Sequence, residues 1–445
     1  MNTFLKSLED KVLIFDGSKG AVLQKLGLEP GSCPESWNLY NSEKVKDIYQ
    51  SYIQAGADVI QTNTFGANRA ILERYNLAEK VDEINSASIK LAKEAAGNKA
   101  YVAVSIGPTG KLLEPSGDLS FEEAYDIFKE QIIAAAQSGA DILNFETFTD
   151  LAEMRCAILA SKENSNLPII ASMSFEANGY TMMGNTAASF AISCQSLGVD
   201  MLGVNCSTGP AEMVKIIQEL KKFSNLPISA KPNAGIPEFI NGKSVYTETP
   251  DNFRRYVKEF VDKGASLIGG CCGTTPEHIS AIREELDKII KSCDIKKTPV
   301  KPSYISSSSK YIPVDMLKNV KAVPFVDSSN SESFVSSSFI DSAADRVMDI
   351  MSEDYDLIYL SLDSISKQEY LAQAVKTIQT YVKLPLIIHS NSVKCIEKAL
   401  RIYNGRAGIA VKDANDSTFE IINLAHKYGC AITNHFPKLE TTPLF

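Results

Sequence analysis

The sequence predicts an α/β chain: a (β/α)8 TIM barrel followed by a smaller α/β domain. Two observations carry this. Short β-rich runs alternate with amphipathic stretches of helical length as far as Lys291, and eight such runs can be counted. A polar stretch then breaks the series, and a few further strand and helix patterns follow it.

The eight runs begin near Lys11, Ala57, Tyr101, Ala140, Pro168, Asp200, Pro227 and Ser266. Between them, Ser42 and Ser120 stand as caps before acidic first turns. Gly56 and Gly139 stand where helices stop. A TIM barrel takes roughly 250 residues, which suits this stretch. An open, doubly wound sheet is the competing arrangement; a regular series of eight is what closure needs.

The expected boundaries are a barrel over 1–291, a linker over 292–314 and a small α/β domain over 315–445. Proline, lysine and four consecutive serines mark the linker. In the tail, strands are expected at DYDLIYLSLD and LPLIIHSN. Helices are expected over Phe339–Met351, Lys367–Tyr381, Val393–Tyr403 and Thr418–Tyr428.

Composition narrows the function classes. Apolar residues are 44% and charged residues 22% of the 445, ordinary for a globular protein that buries a large core. The net charge of −9 and the lack of a basic, aromatic-interleaved patch argue against nucleic acid. The N-terminal apolar run, Val12 to Phe15, is too short for a signal peptide or a membrane span. A cytoplasmic protein is expected, in which the nine cysteines are thiols or metal ligands rather than disulfides.

Barrel enzymes carry their chemistry at the C-terminal ends of the strands. Here the unusual polar residues fall there: Asp16-Gly17-Ser18, Thr62-Asn63-Thr64, Glu146-Thr147, Asn205-Cys206-Ser207, Asn233-Ala234-Gly235 and Gly269 to Gly273. Strands 6 and 8 flank strand 7, so Cys206, Cys271 and Cys272 can converge. Gly270 and Gly273 bracket the cysteine pair and let the backbone turn both sulfurs inward. Three thiolates with one open position is the pattern of a catalytic zinc. Anionic ligands suit it to keeping a substrate thiolate nucleophilic more than to activating water. The other cysteines (Cys33, Cys156, Cys194, Cys293, Cys395 and Cys430) lack partners at metal spacing and read as structural. His278 reads as a helix-start residue.

The segments FDGSKGAVLQ, AGADVIQTNTFGANR, SIGPTGKLL, FETFTDLAEM, GVNCSTGP, KPNAG and GGCCGTTPEHI resemble the homocysteine S-methyltransferase family, in order, over about residues 8–290. The arrangement looks most like the opening module of cobalamin-dependent methionine synthases, where a homocysteine barrel precedes a folate barrel. The resemblance implies zinc on Cys206, Cys271 and Cys272, with Asn233 near the metal as a fourth ligand. It implies that Asp16, Gly17, Ser18, Asn63, Glu146 and Asn205 line the homocysteine site. Asp16 and Glu146 would hold the ammonium group, and backbone N–H groups near Gly17 and Ser18 the carboxylate.

The expected activity is methyl transfer to homocysteine, giving methionine, from methylcobalamin supplied in trans by a separate corrinoid protein. S-methylmethionine, betaine and methylfolate stay open as donors, and another small thiol or selenol as acceptor. A zinc-binding or partner-binding module without catalysis is a third reading, against which the complete set of Asp16, Glu146 and three cysteines argues. The tail resembles part of a pterin-binding barrel, too short to close, with changed strand ends at Leu360–Asp363 and His389-Ser390. It is expected to form an open sheet that docks against the barrel, a second copy of the chain (a homodimer) or the corrinoid protein. No Asp-x-His-x-x-Gly segment of the cobalt-ligating kind is present.

Overall fold

The computed structural model describes residues 2–235, 238–240, 243–289, 304–319, 322–327, 355–362, 369–411 and 418–433. Two compact units emerge. The first is Met1–Lys111, Glu122–Met183 and Val199–Val300; the second is Leu112–Phe121, Gly184–Gly198 and Lys301–Phe445.

The first unit is a (β/α)8 barrel. Its strands are β1 (Leu13–Ile14), β2 (Val59–Gln61), β3 (Tyr101–Ile106), β4 (Ile142–Phe148), β5 (Ile169–Met173), β6 (Met201–Asn205), β7 (Ile228–Lys231) and β10 (Ala265–Ile268). The eight follow one another in the sheet, all parallel, with β10 beside β1. A parallel bridge between Phe15 and Val59 joins β1 to β2 and closes the ring. All eight expected strands are present. The residues of β1, β6 and β7 are buried throughout, as strands enclosed on both faces require. A short antiparallel hairpin, β8 (Glu238–Ile240) with β9 (Lys243–Val245), interrupts the series after β7 and was not expected.

The interior is packed solid. Leu13, Val59, Ala103, Ile142, Ile170, Met201 and Leu267, from seven of the strands, form one buried cluster with Phe4 and Leu8. Phe4 and Leu8 lie on the helix Thr3–Asp10, which Asn2 caps by accepting from the Phe4 N–H. That amphipathic helix plugs the N-terminal end and leaves the opposite rim for chemistry.

The second unit carries a five-stranded parallel sheet in chain order: β13 (Ala322–Asp327), β14 (Leu357–Leu362), β15 (Leu386–His389), β16 (Gly408–Ala410) and β17 (Ala431–Thr433). Among the described residues β13 and β17 do not pair, so the sheet stays open. Helices occupy Glu369–Tyr381, Val393–Ile402 and Thr418–Lys427; the helix expected over Phe339–Met351 lies outside the described residues.

Part of the expected linker is ordered. β11 (Tyr304–Ser306) and β12 (Tyr311–Pro313) form an antiparallel pair. Ile305 and Ile312 join the buried cluster of Leu357, Tyr359, Ile387, Ala410 and Ala431. The serine run that reads as linker is the turn of this hairpin, with Ser307 Oγ accepting from the Lys310 N–H at 3.0 Å. The remainder of the expected linker, 292–303, lies outside the described residues.

Candidate metal centre

Cys206 follows β6, and Cys271 and Cys272 follow β10, with β7 between them in the sheet. Backbone bonds carry the pairing past the strand ends: Cys206 N to Lys231 O at 3.2 Å, Cys271 N to Pro232 O at 2.8 Å, and Ala234 N to Cys272 O at 2.9 Å. The three sulfurs thereby come within 4.8 Å of one another. The Cys206–Cys272 separation is 3.8 Å and Cys271–Cys272 is 4.0 Å. A tetrahedral ion with metal–sulfur bonds of roughly 2.3 Å spaces its sulfurs by about 3.8 Å. The cluster is the one His/Cys/Asp/Glu group of metal-binding geometry among the described residues.

The backbone is forced to reach this geometry. Cys206 and Ser207 have φ of 62° and 53°, and Thr147 has 65°. Left-handed non-glycine residues gathered at one rim are the signature of a functional site. A Cβ on Gly270 would lie 2.3 Å from Thr274 Oγ1, and one on Gly273 would lie 2.2 Å from the Tyr246 ring. Both glycines therefore admit close neighbours that the cysteine turn needs.

Crowding and burial push all three thiols up. The neighbouring Cys271 sulfur lowers the Cys206 thiol, yet Cys272 and burial push it up to about 11. Cys271, pressed first by Cys206, is pushed up to about 12. Cys272, eased by Cys206 but crowded by Cys271, also reaches about 12. A bound cation is what lets such a cluster ionise.

Neighbours brace the sulfurs. Asn205 Oδ1 accepts from the Thr147 N–H at 2.8 Å, and its Nδ2 donates to Thr147 Oγ1 at 2.8 Å and toward Cys271 Sγ at 3.7 Å. The Tyr246 ring packs against the Gly273 turn beside Cys272. Asn233 Oδ1 accepts from the Cys272 N–H at 3.0 Å, which sets its amide beside the cluster.

Asp16 and Glu146 are both buried, and each already has a lysine. Lys19 Nζ is 2.6 Å from Asp16 Oδ2, and Lys231 Nζ contacts Glu146 Oε2. Gln61 links the pairs: its N–H donates to Asp16 Oδ2 at 2.9 Å, and its Oε1 accepts from Lys231 at 2.9 Å. Burial raises the Asp16 carboxyl and outweighs the lowering by Lys19. Burial would also raise Glu146, but the Lys231 ammonium and the Ser105 hydroxyl win and hold it below the usual carboxylate range. The two lysines were not singled out from sequence, although Lys231 sits within KPNAG and Lys19 within FDGSKG. The signal was a lysine at the very end of an apolar strand.

The remaining expected residues are already engaged. Ser18 caps the helix Lys19–Lys25 through its hydroxyl, and its N–H donates to Thr274 Oγ1 at 3.2 Å. The Gly17 position is crowded by Thr274 and Tyr52 and admits no side chain. Asn63 Nδ2 donates to Pro34 O at 2.8 Å and to Asn38 Oδ1 at 3.1 Å. His278 opens the helix Pro276–Ile289, bonded to Thr275 and to the Glu248 carbonyl.

The family model for homocysteine S-methyltransferase matches residues 13–286. Methionine synthase of Mycobacterium leprae is 28% identical over 469 residues, taking in 96% of this chain and 38% of that protein. Methionine synthase of Mycobacterium tuberculosis is 28% identical, taking in 91% of this chain and 36% of that protein. The chain thus spans less than two-fifths of the length of these relatives. Among solved structures, the metallated homocysteine methyltransferase MmuM from Escherichia coli shares the fold at a TM-score of 0.55 and 22% identity. It covers 63% of this chain and 99% of its own. On the match over residues 13–286 and the thiol cluster within it, this chain belongs to the homocysteine S-methyltransferase family.

Proposed function

We propose that this chain is a zinc-dependent methyltransferase that moves a methyl group to the thiol of homocysteine, giving methionine. The observation that carries this reading is the three-sulfur cluster at tetrahedral spacing, inside a barrel of the homocysteine S-methyltransferase family. Cys206, Cys271 and Cys272 would hold the ion, with the Asn233 amide placed beside them. Bound zinc keeps an acceptor sulfur ionised at neutral pH. In the transfer, a sulfur–methyl bond forms and the donor–methyl bond breaks. The electron pair stays on the donor, and the thiol proton goes to solvent.

The chain's own residues do the rest. Asn205 donates toward the Cys271 sulfur and would hold its orientation. Asp16, Gly17, Ser18, Asn63 and Glu146 border the acceptor's amino-acid end. The donor in this reading is methylcobalamin presented by a separate corrinoid protein. Similarity to methionine synthases over 96% of the chain supports it, because that match includes the tail. The open sheet of the second unit is the surface we assign to docking of that protein or of a second copy of the chain. A cytoplasmic setting suits the eight described cysteines, all free thiols. No helix among the described residues is long and apolar enough to cross a membrane.

The test is a set of parallel assays on the zinc-loaded protein with homocysteine and methylcobalamin, methylfolate, betaine or S-methylmethionine. Methionine formed with methylcobalamin supports the reading. Methionine from another donor alone would replace the corrinoid, and none from any donor would overturn the activity.

A further inference from the structure

We propose that Lys19 recognises the carboxylate of the acceptor thiol, as the cationic half of a clamp for a zwitterion whose anionic half is Asp16. This rests on the reading that the acceptor is an amino-acid thiol.

The two buried ion pairs differ in what they leave open. Glu146 and Lys231 are closed: Glu146 also accepts from Ser105 Oγ, and Lys231 also donates to Gln61 and lies 4.4 Å over the Phe15 ring. Asp16 and Lys19 are not. Asp16 is fully buried, and its Oδ2 takes both donors while Oδ1 has no partner among the described residues. Lys19 is 7% exposed and meets one acceptor, Asp16 Oδ2. An ammonium carries three donors, so two of its N–H groups have no acceptor among the described residues. The rings of Tyr49 and Tyr52, at 5.9 and 5.8 Å, stabilise the charge but accept no conventional hydrogen bond.

A half-satisfied buried pair is costly. An α-amino carboxylate completes it on both sides, with an ammonium for Asp16 Oδ1 and a carboxylate for Lys19. Binding a zwitterion also leaves the charge of the buried group of four unchanged, whereas a thiol bearing only an amine or only an acid shifts it by one. The Ser18 N–H, the obvious backbone donor for a carboxylate, is spent on Thr274 Oγ1. A lysine three residues into the same loop-to-helix turn supplies the missing donor.

The experiment compares kcat/KM for homocysteine and 3-aminopropane-1-thiol, which lacks the carboxylate, in the zinc-loaded wild type, Lys19→Met and Lys19→Arg. A charge-assisted hydrogen bond corresponds to on the order of 10- to 100-fold. The wild type is expected to favour homocysteine by that factor. Lys19→Met should bring the ratio close to unity through a higher KM for homocysteine, and Lys19→Arg should restore most of it. Should Lys19→Met fold poorly, Asp16→Asn/Lys19→Met removes both charges together and should show the same collapse. An unchanged ratio, or an equal loss for both acceptors, would overturn the proposal alone. A wild type inert toward homocysteine would overturn the functional reading and the proposal with it.

Discussion

Lys231 and Glu146 form an ion pair almost wholly withdrawn from water, with side-chain exposures of 1% and 6%. Removing one member strands the other's charge in the barrel. Lys231→Met or Glu146→Gln should each cost about 3–5 kcal/mol of stability. The double variant should recover most of that, because a neutral pair needs no partner. The folded pKa of Glu146 is depressed, so the pair's contribution is complete above the ordinary value of 4.5 and disappears as pH falls through the lower folded value. Urea denaturation of the three variants and the wild type measures both effects. Additive losses in the double variant would show that the residues act independently.

Glu153 behaves in the opposite sense. It is buried, and its Oε1 accepts from both the N–H and the hydroxyl of Thr109 at 2.7 Å. Burial outweighs those bonds and lifts its carboxyl to about 7. A raised acid binds a proton on folding, so stability is fully present below the unfolded value of 4.5 and falls as pH rises toward 7. Glu153→Gln keeps the acceptor oxygen and removes the titration. The unfolding free energy of the wild type should fall between pH 4.5 and 7, by up to about 3 kcal/mol, while that of the variant stays flatter. Parallel slopes would remove Glu153 as the cause.

Asn205 clamps Thr147 from two sides and reaches Cys271. Its loss releases a residue held at a φ of 65°. Asn205→Ala should lower metal affinity or methyl transfer about 10- to 100-fold with little change in melting temperature. Competitive chelator titration and steady-state kinetics give the two numbers.

Gly270→Ala addresses the turn itself. The new methyl collides with Thr274 Oγ1, which donates to the Cys271 carbonyl at 2.7 Å. Metal content should drop while the circular dichroism of the barrel is retained. Full metal occupancy would mean that the turn tolerates the methyl.

The barrel and the sulfur cluster were legible because their signals are local. Each strand is a short apolar run, and the cysteines fall at strand ends between glycines. What escaped depends on long-range partners. Lys231 looks like an ordinary solvated lysine until folding brings Glu146 to it from far along the chain; Lys19 has its partner three residues away, but only the folded barrel buries that pair. The hairpin at Tyr304–Pro313 looks like linker because serines dominate, yet its two isoleucines decide its fate. The grouping of Gly184–Gly198 with the second unit had no local mark. Ser193 Oγ meets Ser306 Oγ at 3.2 Å, a pairing of two serines far apart in the sequence.

Cys206, Cys271 and Cys272 are expected to hold a zinc to which the acceptor sulfur binds directly. X-ray absorption at the zinc edge of the stoichiometrically loaded protein, with and without homocysteine, tests it most directly. One zinc per chain with three sulfur neighbours and one lighter atom is expected, becoming four sulfurs when homocysteine is added. Loss of the metal is expected in each of Cys206→Ala, Cys271→Ala and Cys272→Ala. A zinc shell that gains no sulfur from homocysteine, or full zinc binding by a variant lacking all three cysteines, would contradict it.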